Sequence, residues 1–143
     1  LDIHGANLEH QTGEFKEKVK ELLEELEGTV TMHGSYEPHE MPGLLAQTDW
    51  VIIPSVWWEN SPMVIQEAYK HGRPLIGSDI GGMAEKIKDG ETGILFRTKN
   101  PVDLASKIKE VVSNSTCWKK YVDNIQVPIT IEECADIHLK EVY

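Results

Sequence analysis

The stretch Trp50-Val51-Ile52-Ile53-Pro54-Ser55-Val56-Trp57-Trp58-Glu59-Asn60-Ser61-Pro62-Met63-Val64-Ile65-Gln66-Glu67-Ala68-Tyr69-Lys70-His71-Gly72-Arg73-Pro74-Leu75-Ile76-Gly77-Ser78 decides the fold. Its first run, 50–55, and its last, 74–78, are apolar, β-branched and of strand length. Between them 62–71 has helical periodicity, and Gly72 stands where that helix should stop. Strand, helix and strand with short connections require parallel strands joined by a right-handed crossover.

The same alternation extends in both directions. Residues 1–5, 30–34 and 93–97 read as further strands. Residues 13–27 form a strong helix pattern with Phe15, Val19, Leu22, Leu23 and Leu26 on one face, and 40–48, 82–89 and Pro101–Ser113 supply more helices. After 113 the pattern changes: 116–124 and 130–143 read as two helices broken around Pro128 with no strand between. Such a tail must pack on this domain's flank or on a neighbouring domain. The expected fold is α/β, a Rossmann-like doubly wound parallel sheet over 1–113 with a helical C-terminal tail over 114–143. The opening Leu1-Asp2-Ile3-His4-Gly5 reads as the inside of a strand, as in an excised piece of a longer chain.

Composition narrows the function. The 143 residues are 40% hydrophobic and 27% charged, which suits one globular domain with its own core. Asp and Glu outnumber Lys and Arg 24 to 14, for a net charge of −10, so neither nucleic acid nor anionic lipid finds a basic patch here. No apolar run is long enough to span a bilayer, and no leader pattern opens the chain. Cys117 and Cys134 fit neither a CxxC site nor a disulfide framework and read as thiols of a reducing cytoplasm. The six histidines show no HExxH or related spacing, so no metal site is expected.

In open parallel sheets, ligands bind at the carboxyl ends of the strands. That rule selects 6–12, 35–39, 56–61, 79–83 and 98–100. It sets aside Arg73, on the opposite edge, as a surface salt-bridge residue. The most informative loop is 56–62. With Pro62 as first helical residue and Ser61 as N-cap, the amides of Met63 and Val64 would point out of the helix start, where partial positive charge suits a pyrophosphate. Glu59 and Glu67 bracket that anion site. Eight residues of helical rise would separate them by roughly 12 Å, about the reach of a diphosphate between two sugar rings. Carboxylates accept well from vicinal hydroxyls, and a nucleotide sugar has hydroxyls at both ends of a pyrophosphate. Each Glu taken alone also fits a plainer role, Glu59 as a helix-start acid and Glu67 as a solvated face residue.

Glu59-Asn60-Ser61-Pro62-Met63-Val64-Ile65-Gln66-Glu67 resembles the E-x7-E signature of retaining GT-B glycosyltransferases, family 4 in particular. The resemblance continues through Ala68-Tyr69-Lys70-His71-Gly72-Arg73-Pro74-Leu75-Ile76-Gly77-Ser78, Gly81-Gly82-Met83-Ala84-Glu85 and Asp89-Gly90-Glu91-Thr92-Gly93, and covers about 1–112. It implies the C-terminal, donor-binding domain of such an enzyme. Glu59 would then hold hydroxyls of the donor sugar and be the residue nearest catalysis. Glu67 would hold the ribose; Asn60, Ser61, Pro62, Met63 and Val64 would contact sugar and diphosphate through their backbone. Gly34, Ser35 and Tyr36 would line the base. Many members carry Gly-Phe-Gly after the first Glu, and Asn60-Ser61-Pro62 stands there instead, which bears on the identity of the donor sugar.

The family's first donor-domain strand and helix, with an Arg and a Lys that clamp the diphosphate, have no counterpart in these residues. Nor does its N-terminal acceptor domain. The sheet is therefore expected to lack a central strand between 1–5 and 50–55, unless those two strands close up. The resemblance further implies a nucleotide-sugar donor, no cofactor or metal, and a cytoplasmic enzyme of cell-envelope glycan synthesis. Membrane contact would come through the acceptor domain, and a homo-oligomer stays open. Two other readings stand beside the transferase: a sugar-nucleotide epimerase of the same fold, and a non-catalytic nucleotide-sugar-binding module.

Overall fold

The computed structural model describes residues 1–6 and 8–142. Asn7, within the expected loop 6–12, and Tyr143, at the end of the expected last helix, lie outside the described residues. In chain order the elements are β1 (Asp2–His4), α1 (Gly13–Glu25), β2 (Thr31–Gly34), α2 (Met41–Ala46), β3 (Val51–Ile53), α3 (Met63–Lys70), β4 (Leu75–Ser78), α4 (Gly81–Lys86), β5 (Gly93–Phe96), α5 (Pro101–Ser113), α6 (Ser115–Asn124) and α7 (Ile131–Val142). The strand and helix assignments read from periodicity are all present; most ends are trimmed by one to three residues, α5 has its expected bounds, and α4 and α6 begin one residue earlier than expected. The ladders are all parallel, as the alternation requires. They form two sheets, β1-β2 and β3-β4-β5.

The chain divides into two compact units, 1–43 and 44–143. In the first, β1 and β2 pair in parallel with an irregularity between Ile3 and His4. Thr12 caps α1 by accepting from the Phe15 amide. Two strands and one helix are too little to enclose a core, and none of the described residues of this unit is fully buried. Phe15, Leu22 and Leu26 on the α1 stripe remain exposed, while Val19 and Leu23 are half-buried. The His33 ring stacks on His4 with centroids 4.4 Å apart, and its Nε2 donates to Asp2 Oδ1 at 2.7 Å. That hydrogen bond holds the Asp2 carboxyl below its ordinary range.

The second unit is built on β4, which lies between β3 and β5. Alternate side chains of a strand face opposite ways, and β4 feeds two separate cores. Leu75 joins Ile53, Ile65, Ala68, Tyr69, Met83 and Ile87 beneath α3 and α4. Ile76 joins Ile94, Phe96, Val111 and Tyr121 beneath α5 and α6. Helices thus cover both faces of a parallel sheet, the doubly wound arrangement. A Cβ added at Gly77 would meet the far end of the Ile87 side chain, which would have to shift.

The tail behaves as two different helices. α6 is tied down: Trp118 Nε1 donates to the Asp49 carbonyl at 2.8 Å, and Tyr121 meets Trp50 edge-on at 5.0 Å. α7 opens with a reciprocal capping box, in which the Glu133 amide donates to Thr130 Oγ1 and the Thr130 amide to Glu133 Oε2. Beyond that start its residues are exposed from Ile131 to Glu141. Arg73 corrects its sequence-based assignment. It forms no ion pair among the described residues, and its guanidinium instead lies over the Trp118 ring, 5.9 Å from the centroid, with a long contact to the Ala46 carbonyl. Trp118 arrives from α6, so no local pattern around Arg73 points to it. No helix among the described residues is long and apolar enough to cross a membrane.

Two stability effects follow from the β4 layers. Leu75→Ala, at a side chain with no solvent exposure, should lower unfolding free energy by about 2–5 kcal/mol in urea titrations. Tyr69 hydrogen-bonds Thr92 Oγ1 at 2.7 Å, and burial raises its phenol above the ordinary 10.0. Its neutral form therefore contributes stability that is fully present below pH 10.0 and is lost as pH rises through the folded-state value. Tyr69→Phe should cost about 1 kcal/mol at neutral pH. The same substitution should flatten the alkaline fall in the unfolding midpoint, with Tyr121, also raised by burial, keeping a residual slope.

Candidate functional site

β3 and β4 are parallel neighbours, with Ile53 opposite Gly77, so the segments leaving their carboxyl ends emerge side by side. From β3 the chain runs out through Pro54 to Pro62 and enters α3. From β4 it passes Asp79 and Ile80 and enters α4 at Gly81. This is the edge at which open parallel sheets bind ligands.

Glu59 lies midway along the first of these segments and is half-buried. Its Oε1 accepts from the Ser55 hydroxyl at 2.9 Å, and Ser55 Oγ in turn accepts from the Trp57 amide at 3.3 Å. The main chain of Glu59 is engaged as well: the Gly82 amide donates to the Glu59 carbonyl at 2.6 Å. The approach is so close that a Cβ on Gly82 would sit 2.6 Å from the Asn60 carbonyl oxygen, and one on Gly81 would sit 2.9 Å from that of Glu59. Gly81 also has φ +51°, a left-handed conformation costly for other residues. The sequence offered the glycine pair only as part of a resemblance; what it meets depends on β3 and β4 being neighbours.

The start of α3 needs one correction. The N-cap is Pro62, with φ −59° and ψ 119°, and neither it nor Ser61 supplies a side-chain cap. An extended ψ at Pro62 delays the first helical turn by one residue. Met63 and Val64 are then the first helical residues, and Ile65 is the first to bond back, to the Pro62 carbonyl at 3.1 Å. Their amides are left without an intrahelical partner, as at any helix start. Ile65 and Ala68, both buried, fix the helix on the sheet. Glu67 occupies the second turn, half-buried on the flank of that buried stripe. Between the two carboxylates only Met63 to Glu67 is helical, so the separation of Glu59 and Glu67 is part loop and part helix, not eight residues of helical rise. His71 Nδ1 bonds the Glu67 carbonyl at 2.9 Å and closes the far end of α3.

Glu59, Asn60, Ser61, Pro62, Met63, Val64 and Glu67 therefore belong to one continuous segment of the second unit. Gly34, Ser35 and Tyr36 belong to the first unit, where Gly34 ends β2 and the other two follow it. Gly34 has φ +74°, and Tyr36 meets His4 edge-on at 6.3 Å.

The family model described as "Glycosyl transferases group 1" matches residues 2–114. The chain is 29% identical over 106 residues to the lipopolysaccharide 1,2-N-acetylglucosaminetransferase of Salmonella typhimurium, covering 74% of this chain and 27% of that enzyme. Its fold superposes on sucrose-phosphate synthase from Thermosynechococcus elongatus with a TM-score of 0.78 at 22% identity, over 100% of this chain and 37% of that one. The Anabaena protein HepE in complex with UDP-glucose gives a TM-score of 0.76 at 24% identity, over 87% of this chain and 34% of that one. The chain thus spans between about a quarter and two fifths of the length of these relatives. With its parallel, doubly covered sheet and a family match from Asp2 to Asn114, the chain belongs to the group 1 glycosyltransferases.

Proposed function

We propose that the chain is the donor-binding part of a glycosyltransferase that moves a sugar from a nucleoside diphosphate to an acceptor hydroxyl, keeping the anomeric configuration. The observation that carries the reading is the single segment in which Glu59, the unpartnered amides of Met63 and Val64, and Glu67 follow one another from the carboxyl end of β3. The carboxylate of Glu59 accepts from donor-sugar hydroxyls. The helix-start amides face the diphosphate, with backbone of Asn60, Ser61 and Pro62 beside them, and Glu67 accepts from the ribose. The UDP-glucose bound in the HepE complex supports this ligand class by relationship.

In the proposed reaction the bond between the anomeric carbon and the diphosphate oxygen breaks, a bond to the acceptor oxygen forms, and the acceptor proton is released. Charge develops on the leaving diphosphate, so oriented amides at the helix start contribute most in the transition state. The acceptor site, and the basic side chains that complete the diphosphate clamp in the resembled family, are assigned to chain beyond these 143 residues. α7, exposed from Ile131 to Glu141, is assigned to contact with that part. The enzyme works in the cytoplasm on cell-envelope glycans.

Calorimetry with UDP, GDP, ADP and their sugars tests the reading. Glu67→Ala should weaken every nucleotide that binds by roughly tenfold, the worth of hydrogen bonds to a charged group, and equal affinities for wild type and variant would remove the ribose role. Met63→Pro tests the amides. Pro62 already has the extended ψ that a residue before proline requires, and the first helical position tolerates proline. The substitution should leave the thermal midpoint within about 2 °C, a surface-scale perturbation, and lower affinity for inorganic pyrophosphate and for the nucleotides. Unchanged affinity would remove the helix start from the site.

A further inference from the structure

We propose that Ser55 and the pair Gly81-Gly82 are positioning residues that hold Glu59 in its working pose from two sides, Ser55 through the carboxylate and the glycines through the main chain. The inference rests on the reading of Glu59 as the ligand of the donor sugar.

A glutamate on a loop has several rotamers, and a hydroxyl-binding carboxylate is effective only when its geometry is set before the ligand arrives. Ser55 sets it. The serine hydroxyl has one proton, and that proton is given to Glu59 Oε1 at 2.9 Å. The Trp57 amide, donating to Ser55 Oγ at 3.3 Å, fills an acceptor position of the same hydroxyl and orients its proton toward the carboxylate. Oε1 is thereby anchored, and Oε2 keeps its acceptor positions for ligand hydroxyls.

The glycine pair anchors the other end of the residue. The Gly82 amide takes the Glu59 carbonyl at 2.6 Å, which fixes the peptide plane from which the side chain departs. That contact exists only because neither glycine carries a Cβ. At Gly82 it would meet the Asn60 carbonyl carbon at 2.8 Å and oxygen at 2.6 Å, and at Gly81 the Glu59 amide nitrogen at 3.3 Å. These neighbours are backbone atoms, which cannot rotate away, so any side chain there displaces the Glu59 peptide.

The test compares each of UDP, GDP and ADP with UDP-glucose, GDP-mannose and ADP-glucose, using the pair that wild type binds most tightly. The gain from nucleotide to nucleotide sugar isolates the sugar contact. Ser55→Ala should reduce that gain roughly tenfold, the usual worth of a hydrogen bond to a charged group, and leave the nucleotide alone unchanged. Ser55→Thr, which keeps the hydroxyl, should restore it. Gly82→Ala should reproduce the Ser55→Ala loss, and neither substitution should add to Glu59→Gln. A merely structural role predicts lower thermal midpoints with the sugar gain intact, and that result overturns the proposal. If Glu59→Gln removes the gain while Ser55→Ala and Gly82→Ala do not, the positioning role fails and the Glu59 reading survives. If wild type shows no gain, or Glu59→Gln leaves it intact, the Glu59 reading fails and the proposal with it. Should Gly82→Ala unfold the chain, Gly81→Ala replaces it, and unfolding by both makes the pair a requirement of the fold and overturns its positioning role.

Discussion

The second unit depends on β4 being buried on both faces. A strand with partners on both edges and helices above and below has every backbone group paired and every side chain sorted by parity, so a one-residue slip would exchange its two cores. Leu75 and Ile76 are next to each other in the chain and serve different layers. Everything that approaches the candidate site is referred to this strand. α3 is held on one face by Ile65 and Ala68, and α4 by Met83 and Ile87.

The same strand explains why a carboxylate on an irregular loop acquires a defined environment. Residues that leave β3 and β4 at their carboxyl ends are adjacent because the strands are parallel and in register. The backbone of Glu59 and Asn60 then meets the start of α4 closely enough to exclude any Cβ at Gly81 and Gly82. Burial and hydrogen bonding of loop backbone at this edge contribute rigidity where a ligand would otherwise have to order the segment itself.

The first unit shows the opposite regime. Its elements have good local signals, including a capped helix and a paired strand, yet none of its described residues is fully buried. Its polar contacts, such as His33 with Asp2, are exposed, and contacts of that kind contribute little to stability in water. Local propensity sufficed to form α1; burying its apolar stripe needs more surface than two strands supply. α7 is comparable, with a clear capping box and exposed residues from Ile131 to Glu141.

Much was legible in the chain itself. Period and punctuation located the elements, because hydrophobic parity and glycine stops act over a few residues, and the parallel pairing followed from the strand–helix alternation. The segment from Glu59 to Glu67 was legible for the same reason, since its carboxylates and helix start are contiguous. The N-cap was misplaced by one residue because Ser61 and Pro62 both suit a helix start, and only the extended ψ of Pro62 decides between them. Two things came from tertiary structure alone: the stacking of Arg73 on Trp118 and the contact of Gly82 with Glu59. Contacts between residues 23 or 45 positions apart are set by how layers pack, and no local pattern of residue types encodes that.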